Sequence, residues 1–234
     1  MLHLAQRLDE LRAHAAIARV GADSRGVHRA RATAGRIAAW LDLGGWSVLA
    51  DDVRWLRRGL ARARDLDVIV ESAELAPDAR AWFARERAAE QARVVVLLDD
   101  ERFAALLAAL AELPEPRGKH VRRALERMQR RSLRAGDALE RAVEPLDAAH
   151  RLRRRLRRLR HALEWLELPA PVLRAAQTEL GELHDRAALL GALERSPFER
   201  ATRAGRDARA NELEGRLASF RLRWPALRGE LRRD

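Results

Sequence analysis

The sequence contains no cysteine and no tyrosine, and it has a single lysine, Lys119. Without thiols the chain forms no disulfide, has no cysteine nucleophile and holds no Cys-based zinc or iron–sulfur site. The densest apolar run, VVVLL at 94–98, is far shorter than the roughly 20 residues that cross a bilayer. Residues 1–20 lack the apolar stretch and cleavage site of a secretory signal. We therefore expect a soluble cytoplasmic protein.

Arginine provides nearly all of the positive charge and leaves a large excess over the acidic residues. The 234 residues include 46 Lys and Arg against 35 Asp and Glu, which gives a net charge of +11. Such a surplus usually accompanies a polyanionic partner. A guanidinium presents a planar fork of donors that matches phosphate oxygens, and it stays charged at any physiological pH. The composition therefore favours binding of a phosphate-rich polyanion.

Helix-forming residues fill the segments between the glycines and prolines of the sequence. The run at 94–98 could be read as a strand, but Ala-rich helical sequence flanks it on both sides, so we assign it to a buried helix. We predict an all-α fold with helices at 2–19, 25–43, 46–74, 78–112, 117–144, 147–167, 170–195 and 199–222.

Residues 150–166, HRLRRRLRRLRHALEWL, carry seven arginines and two histidines. On a helical wheel the leucines form one narrow stripe, which we expect to face the core. This stripe consists of Leu152, Leu156, Leu159, Leu163 and Leu166. The opposite side forms a basic ridge, made of His150, Arg153, Arg154, Arg157 and His161 together with Glu164.

The preceding predicted helix repeats this design, with an apolar heptad stripe and basic residues off it. Its basic residues are Lys119, Arg122, Arg123, Arg127, Arg130 and Arg134. Like charges three or four positions apart repel by a few tenths of a kcal/mol per pair, and interleaved glutamates would remove that cost. An external anion that neutralises the ridges is one explanation. Solvated faces of ordinary amphipathic helices are the alternative.

The two ends of the chain carry related segments. The segment that starts at His28 aligns with the one that starts at His150, and both have arginine one, three and eight positions later. Downstream, LARARDLDVIV at 60–70 aligns with LGELHDRAALL at 180–190, which places Asp65 opposite Asp185. We therefore predict two halves, 1–115 and 116–234. A pseudo-two-fold axis between them would let both ridges face a common groove.

At these residues the chain resembles the CHAD family, whose signature is a histidine followed by basic residues about three, seven, eight and ten positions later. The second half matches with His150, Arg153, Arg157, Arg158 and Arg160. The first half matches with His28, Arg31 and Arg36, whereas Gly35 and Ala38 replace basic residues. The segments LARARDLDV and LGELHD are also similar to the family.

The resemblance implies two helical, four-helix-bundle-like halves and a basic groove between them that binds inorganic polyphosphate without catalysis. The expected partners are polyphosphate and polyphosphate granules, with no membrane. Because no E-x-E-x-K motif of a triphosphate-processing domain occurs, the chain resembles a stand-alone binding module. The predicted polyphosphate-binding residues are His28, Arg31, Arg36, Lys119, Arg122, Arg123, Arg127, Arg130, His150, Arg153, Arg154, Arg157, Arg158, Arg160 and His161.

The histidines on the basic ridges are interpreted as phosphate donors whose charge depends on pH. Neighbouring arginines disfavour the imidazolium, and a bound polyanion would favour it. The H-E-x-x-H and Glu-x-x-His spacings of metal sites are absent, so we predict no metal and no cofactor. The pair His184 and Asp185 is interpreted as a hydrogen bond in helix packing.

Other classes of function fit the sequence less well. No nucleotide-binding loop or nucleophile motif is present, so we predict no catalytic residue. A nucleic-acid-binding helical module stays an alternative, although aromatic residues are only 4% of the chain and the ridge lacks Asn, Gln and Ser. A scaffold for an acidic protein would need hydrophobic anchors within the basic face, which the sequence does not show.

Overall fold

The predicted all-α fold is confirmed. A computed structural model describes residues 3–73, 75–198 and 203–232, with side chains from residue 207 onward in the last range. Within these ranges the chain forms helices and no strand. The helices are α1 (Leu4–Val20), α2 (Arg25–Gly44), α3 (Ala50–Gly59), α4 (Ala61–Glu71), α5 (Pro77–Asp99), α6 (Glu101–Ala111), α7 (Gly118–Glu140), α8 (Pro145–Trp165), α9 (Pro171–Glu194) and α10 (Arg203–Glu230).

Two of the predicted helices are each divided in the structure. The predicted helix 46–74 breaks at Leu60, between α3 and α4, and the helix 78–112 breaks at Asp100, between α5 and α6. Asp100 has extended backbone, and its carboxylate accepts a hydrogen bond from the backbone N–H of Arg102 at 2.8 Å. This N-cap starts α6 inside a run of helix-forming residues that contains no glycine or proline, so a search for those helix breakers misses the break.

The C-terminal helix is longer than predicted. It continues through Pro225 to Glu230, whereas we expected an end at residue 222, and its predicted start at 199 lies outside the described residues. Trp224 and Leu231 are buried on either side of the proline. Their burial holds this end of α10 in place even though a proline inside a helix removes one backbone hydrogen bond.

The chain forms two compact units. The first comprises Met1–Ala124 with Trp165–Glu167, and the second comprises Leu125–Glu164 with Leu168–Asp234. The change from one unit to the other lies within α7 and again at the end of α8. The two halves predicted at 1–115 and 116–234 stay a prediction about the internal repeat.

Tryptophans form the centre of the first unit. The ring of Trp40 on α2 stacks on Trp46 with 4.6 Å between centroids and lies 6.2 Å from Trp165. The indole N–H of Trp165 donates to the backbone carbonyl of Arg36 at 2.7 Å. Trp40 and Trp165 are fully buried, so both rings serve in packing.

A buried ion pair joins α4 to α5 in the same unit. Arg87 contacts Asp67 at 2.6 Å, and their side chains are only 13% and 4% exposed. Burial raises the pKa of Asp67, and the hydrogen bond and charge of Arg87 oppose that shift. Arg87 also donates to Gln91 at 3.0 Å, and Gln91 donates to the carbonyl of Ala18 at 2.8 Å. This network connects α1, α4 and α5.

The leucines of α8 lie in the core of the second unit. Leu152, Leu156 and Leu159 are buried, which confirms the first part of the predicted stripe. Leu163 and Leu166 are only half-buried, because Ala162 and Trp165 take the inner positions near the end of the helix. The buried face of α8 therefore turns as the helix proceeds.

Helix α10 packs against α7 through a close approach at Gly136. A Cβ atom added to Gly136 would lie 1.8 Å from an atom of the Trp224 indole, so only glycine fits there without movement. The indole N–H of Trp224 donates to Asp137 at 3.1 Å, and Arg228 forms an ion pair with Asp137 at 2.8 Å. Trp224 is therefore fixed by both shape and hydrogen bonding.

We expect Arg87→Ala to lower the free energy of unfolding by about 3–5 kcal/mol, because it leaves the Asp67 carboxylate buried without its partner. The matched control is Arg85→Ala, since Arg85 is exposed on the same helix, and it should change stability by about 0.5 kcal/mol or less. Urea unfolding of both variants makes the comparison. Equal losses of stability in the two variants would show that the buried ion pair contributes no more than an exposed arginine.

We expect Gly136→Ala to destabilise the second unit by about 1–3 kcal/mol, because the added methyl group forces the Trp224 ring to move. The control is Gly215→Ala on α10, where nothing lies within 4 Å of the added atom. That change should be neutral or stabilise the helix by up to about 1 kcal/mol. Thermal unfolding and tryptophan fluorescence test the pair, and a Gly136→Ala variant as stable as Gly215→Ala would contradict this packing.

Candidate functional site

The basic residues of α8 surround His150 on the side of the helix away from the buried leucines. We define the α8 basic face as His150, Arg153, Arg154 and Arg157. Arg154 is exposed, whereas the other three are half-buried. Burial lowers the pKa of His150, and Arg154, Arg153 and Arg157 lower it further, with Asp147 acting in the opposite direction. Three guanidinium groups therefore create a positive potential at one histidine.

The face extends along about two turns of the helix. From His150 to Arg157 the axial distance is roughly 10 Å at about 1.5 Å per residue. Exposed arginines adjoin it at Arg151 and Arg155, and Arg158 is half-buried. A row of cations of this length can contact successive charged groups of one extended anion, which a single cation cannot do.

Arg160, which the family signature includes, has partners on its own unit. Its Nε donates to the side-chain oxygen of Gln177 on α9 at 2.8 Å, and a guanidinium nitrogen lies 3.8 Å from Glu164. These contacts connect α8 to α9. Arg160 therefore has a structural task that is independent of any ligand.

The structure corrects the placement of His161. We expected this residue on the outward-facing ridge, but it is only 4% exposed. It is buried next to Ala162, at the end of α8 where the buried face of the helix becomes wider. A ligand in solvent has no direct access to a side chain in that position.

A second histidine, which sequence reasoning did not select, lies against His150. The Nδ1 atoms of His150 and His184 are 3.2 Å apart, and their ring centroids are 4.8 Å apart. His184 lies on α9, in the LGELHD segment, where we had interpreted it as a partner of Asp185. The one sequence signal for this contact is in the repeat alignment, where His28 aligns with His150 and Arg64 aligns with His184.

The first unit has the corresponding arrangement with different chemistry. His28 lies at the surface of α2, and its pKa is lowered by desolvation and then by Arg64 of α4, while Glu71 raises it. Arg64 thus acts on His28 from the position that aligns with His184. Glu71 also accepts a hydrogen bond from Ser24 at 2.6 Å and lies 4.0 Å from Arg64. An acidic residue therefore offsets part of the positive charge here.

The remaining basic residues predicted in the first unit are partly engaged by the protein itself. Arg31 donates to the backbone carbonyl of Arg57 at 2.9 Å. Arg36 is half-buried, and Gly35 and Ala38, which replace basic residues of the family signature, are buried on α2. Helix α2 therefore carries fewer basic residues of the family signature beside His28 than α8 carries beside His150.

The basic residues of α7 are exposed, as predicted from their position off the apolar stripe. They are Lys119, Arg122, Arg123, Arg127 and Arg130. The last of these forms a solvent-exposed pair with Glu126 at 3.8 Å, which contributes little to stability. That these residues, the α8 basic face and His28 line one groove stays a prediction from the sequence.

Two further findings concern the described part of the chain. It contains no group of three or more His, Cys, Asp or Glu residues placed to hold a metal ion. Among the helices with described residues, none is both long enough and apolar enough to cross a membrane.

Comparison with known proteins identifies the family. A family model described as CHAD domain matches residues 2–194. The structure is similar to the crystal structure of the CHAD domain from the plant Ricinus communis, with a TM-score of 0.73 and 20% sequence identity. The matched region covers 98% of this chain and 89% of the Ricinus communis chain. That similarity concerns the fold. None of the curated proteins matches the sequence. Because the family model spans most of the chain, the protein belongs to the CHAD domain family.

Proposed function

We propose that this CHAD domain binds inorganic polyphosphate and catalyses no reaction on it, and that the α8 basic face is its main contact surface. The observation that carries the proposal is that Arg153, Arg154 and Arg157 lie beside His150 on the side of α8 away from its buried leucines, where they lower the pKa of His150. The family resemblance suggests the ligand, since its signature residues form this face. Arg151, Arg155, Arg158 and the exposed basic residues of α7 would extend the surface for a long chain.

A linear polyphosphate fits the chemistry of such a row. It carries a negative charge on every phosphate, and each phosphate has oxygens that a guanidinium can bind in a bidentate manner. Release of counterions from the polyanion would contribute to affinity and make binding sensitive to salt. The repulsion between neighbouring arginines would fall at the same time, so binding should stabilise α8.

The tryptophans favour polyphosphate over single-stranded nucleic acid. Proteins that bind single strands without sequence preference stack bases on exposed aromatic rings. Trp40, Trp165 and Trp224 are buried in the cores of their units. Trp55 is half-buried and lies beneath the Arg102 guanidinium, whose central carbon is 4.8 Å from the centroid of the Trp55 ring. These four rings therefore offer no open face on which a base could stack.

The contacts of Arg160 with Gln177 and Glu164 and the burial of His161 narrow the set of residues that should touch the ligand. Both were predicted to bind polyphosphate, but Arg160 connects α8 to α9 and His161 is covered. We propose that their contribution is structural. The direct contacts then belong to His150, Arg153, Arg154 and Arg157, with His28 and Arg31 as a weaker surface on the first unit.

Replacing Arg153, Arg154 and Arg157 together by Gln should weaken binding of long-chain polyphosphate by more than tenfold, because each charged phosphate contact contributes about 1.5–3 kcal/mol. The slope of log affinity against log salt should also become shallower, since fewer counterions are released. Isothermal titration calorimetry at several salt concentrations measures both quantities.

The control for that triple variant is Arg141, Arg174 and Arg195 replaced by Gln, because these exposed arginines of the second unit lie off the α8 basic face and remove the same charge. It should lose much less affinity. Equal losses would mean that net charge alone drives association. RNA or duplex DNA that competes with polyphosphate at equal phosphate and salt concentration would favour the nucleic-acid alternative.

The two units should contribute unequally. His150→Ala combined with Arg153→Ala should weaken polyphosphate binding more than His28→Ala combined with Arg31→Ala. The physical reason is that Gly35 and Ala38 replace basic residues of the signature on α2 and that the Arg57 carbonyl already engages Arg31. Affinities of the two double variants under identical salt decide the matter. A larger loss from the first-unit pair would overturn the unequal arrangement.

A further inference from the structure

We infer that His184 is a second ligand-binding histidine of the α8 basic face, and that it forms with His150 a pair that takes up one proton when polyphosphate binds. This inference rests on the proposed function, which it extends to the regulation of the same site. His184 comes from α9, outside the family signature around His150. Its role follows from the contact between the two rings.

The contact restricts the protonation states of the pair. A neutral imidazole has one N–H and one nitrogen lone pair, whereas an imidazolium has two N–H groups. The Nδ1 atoms of His150 and His184 are 3.2 Å apart, so one must donate and the other must accept. In the neutral pair the accepting ring carries its proton on Nε2, and the donating ring has a bare Nε2. Only one of the two Nε2 atoms can then donate to an anion.

One added proton changes this situation. It binds to the bare Nε2 of the donating ring, and the hydrogen bond between the two Nδ1 atoms remains. Both Nε2 atoms then carry hydrogen, and the pair has a single positive charge, which suits a phosphate better than the neutral pair. A second proton would have to bind to the accepting Nδ1, which would break the hydrogen bond and place two cations in contact. The pair therefore has room for one proton.

The charged groups around His150 disfavour a proton on this ring while the site is empty. Arg153, Arg154 and Arg157 face His150 from α8, and Asp147 on the same helix has the opposite effect. From α9, Asp185 follows His184 directly. Further along α9, Arg186 forms an ion pair at 2.7 Å with Glu212 of α10. Burial and the three arginines together hold the pKa of His150 below its ordinary value of 6.5.

A bound polyanion reverses the electrostatic balance. Its charges neutralise the arginines and attract a proton to the pair, so the pKa rises in the complex. At pH values between the lowered pKa of His150 in the free protein and the raised pKa in the complex, the protein takes up a proton when polyphosphate binds. By linkage, affinity must then increase as pH falls through that window, by at most about tenfold per pH unit for one proton.

The first unit supplies an internal contrast. At the position aligned with His184 it has Arg64, which acts on His28 with a permanent charge. A guanidinium donates hydrogen bonds at every physiological pH and exchanges no proton. The proton-linked behaviour should therefore belong to the second unit, and replacement of His184 by arginine should imitate the first.

The test is isothermal titration calorimetry of the full chain with long-chain polyphosphate near the ordinary pKa of histidine, in buffers with different ionisation enthalpies. The dependence of the measured enthalpy on the buffer gives the number of protons taken up. Long chains are used because only their terminal phosphates titrate in this pH range. We expect proton uptake by the unchanged protein, and affinity that rises as pH falls.

Three variants test whether the proton is taken up by the pair of His150 and His184. His184→Leu should lose most of the uptake and of the pH dependence, and His184→Arg should bind with little dependence on pH. His120→Gln, a change at an exposed histidine, should keep both. Circular dichroism confirms that each variant is folded, and if His184→Leu does not fold, His184→Arg and His184→Asn carry the comparison.

The outcomes separate this inference from the function on which it rests. Failure of the unchanged protein to bind polyphosphate would overturn the proposed function. Tight binding without proton uptake would overturn the histidine pair while leaving the proposed function intact. Uptake that persists undiminished in His184→Leu and His184→Arg would place the proton on other groups, and this too would overturn the inference.

Discussion

The structure around α8 depends on one constraint, which is that a single helix must bury leucines on one side while it concentrates arginines on the other. Leu152, Leu156 and Leu159 are buried in the second unit, and this burial offsets the repulsion among the arginines. The guanidinium groups consequently remain at or near the surface, beside a half-buried histidine. Burial of the leucines thus keeps these arginines close to one another on one side of α8, although their charges repel.

The two units use the same helical scaffold with different electrostatic partners. In both, a histidine on one helix faces a residue of the aligned second segment, which is Arg64 for His28 and His184 for His150. Each histidine also has one acidic residue that raises its pKa, which is Glu71 for His28 and Asp147 for His150. In the second unit the partner of the histidine is titratable, whereas in the first unit it is permanently charged. An internal repeat has therefore produced two surfaces that should differ in both strength and pH dependence.

Arginines of this protein perform two tasks that composition cannot separate. Arg87 pairs with buried Asp67, and Arg160 connects α8 to α9, so both hold the structure together. Arg154 is exposed and contributes to the field at His150. The net charge of +11 is the sum of both kinds. Only the contacts of each guanidinium show which arginines are available to a ligand surface.

The sequence by itself determined the all-α class, the buried leucines of α8 and the exposure of the α7 arginines, because helical periodicity depends on residues within a few turns. The family was indicated by the resemblance of the histidine and arginine motifs. Only the tertiary structure decided that His161 is buried and that His150 meets His184, 34 residues away. A helical wheel shows which side a residue faces. It contains no information about which other helix covers that side, because packing between distant segments determines it.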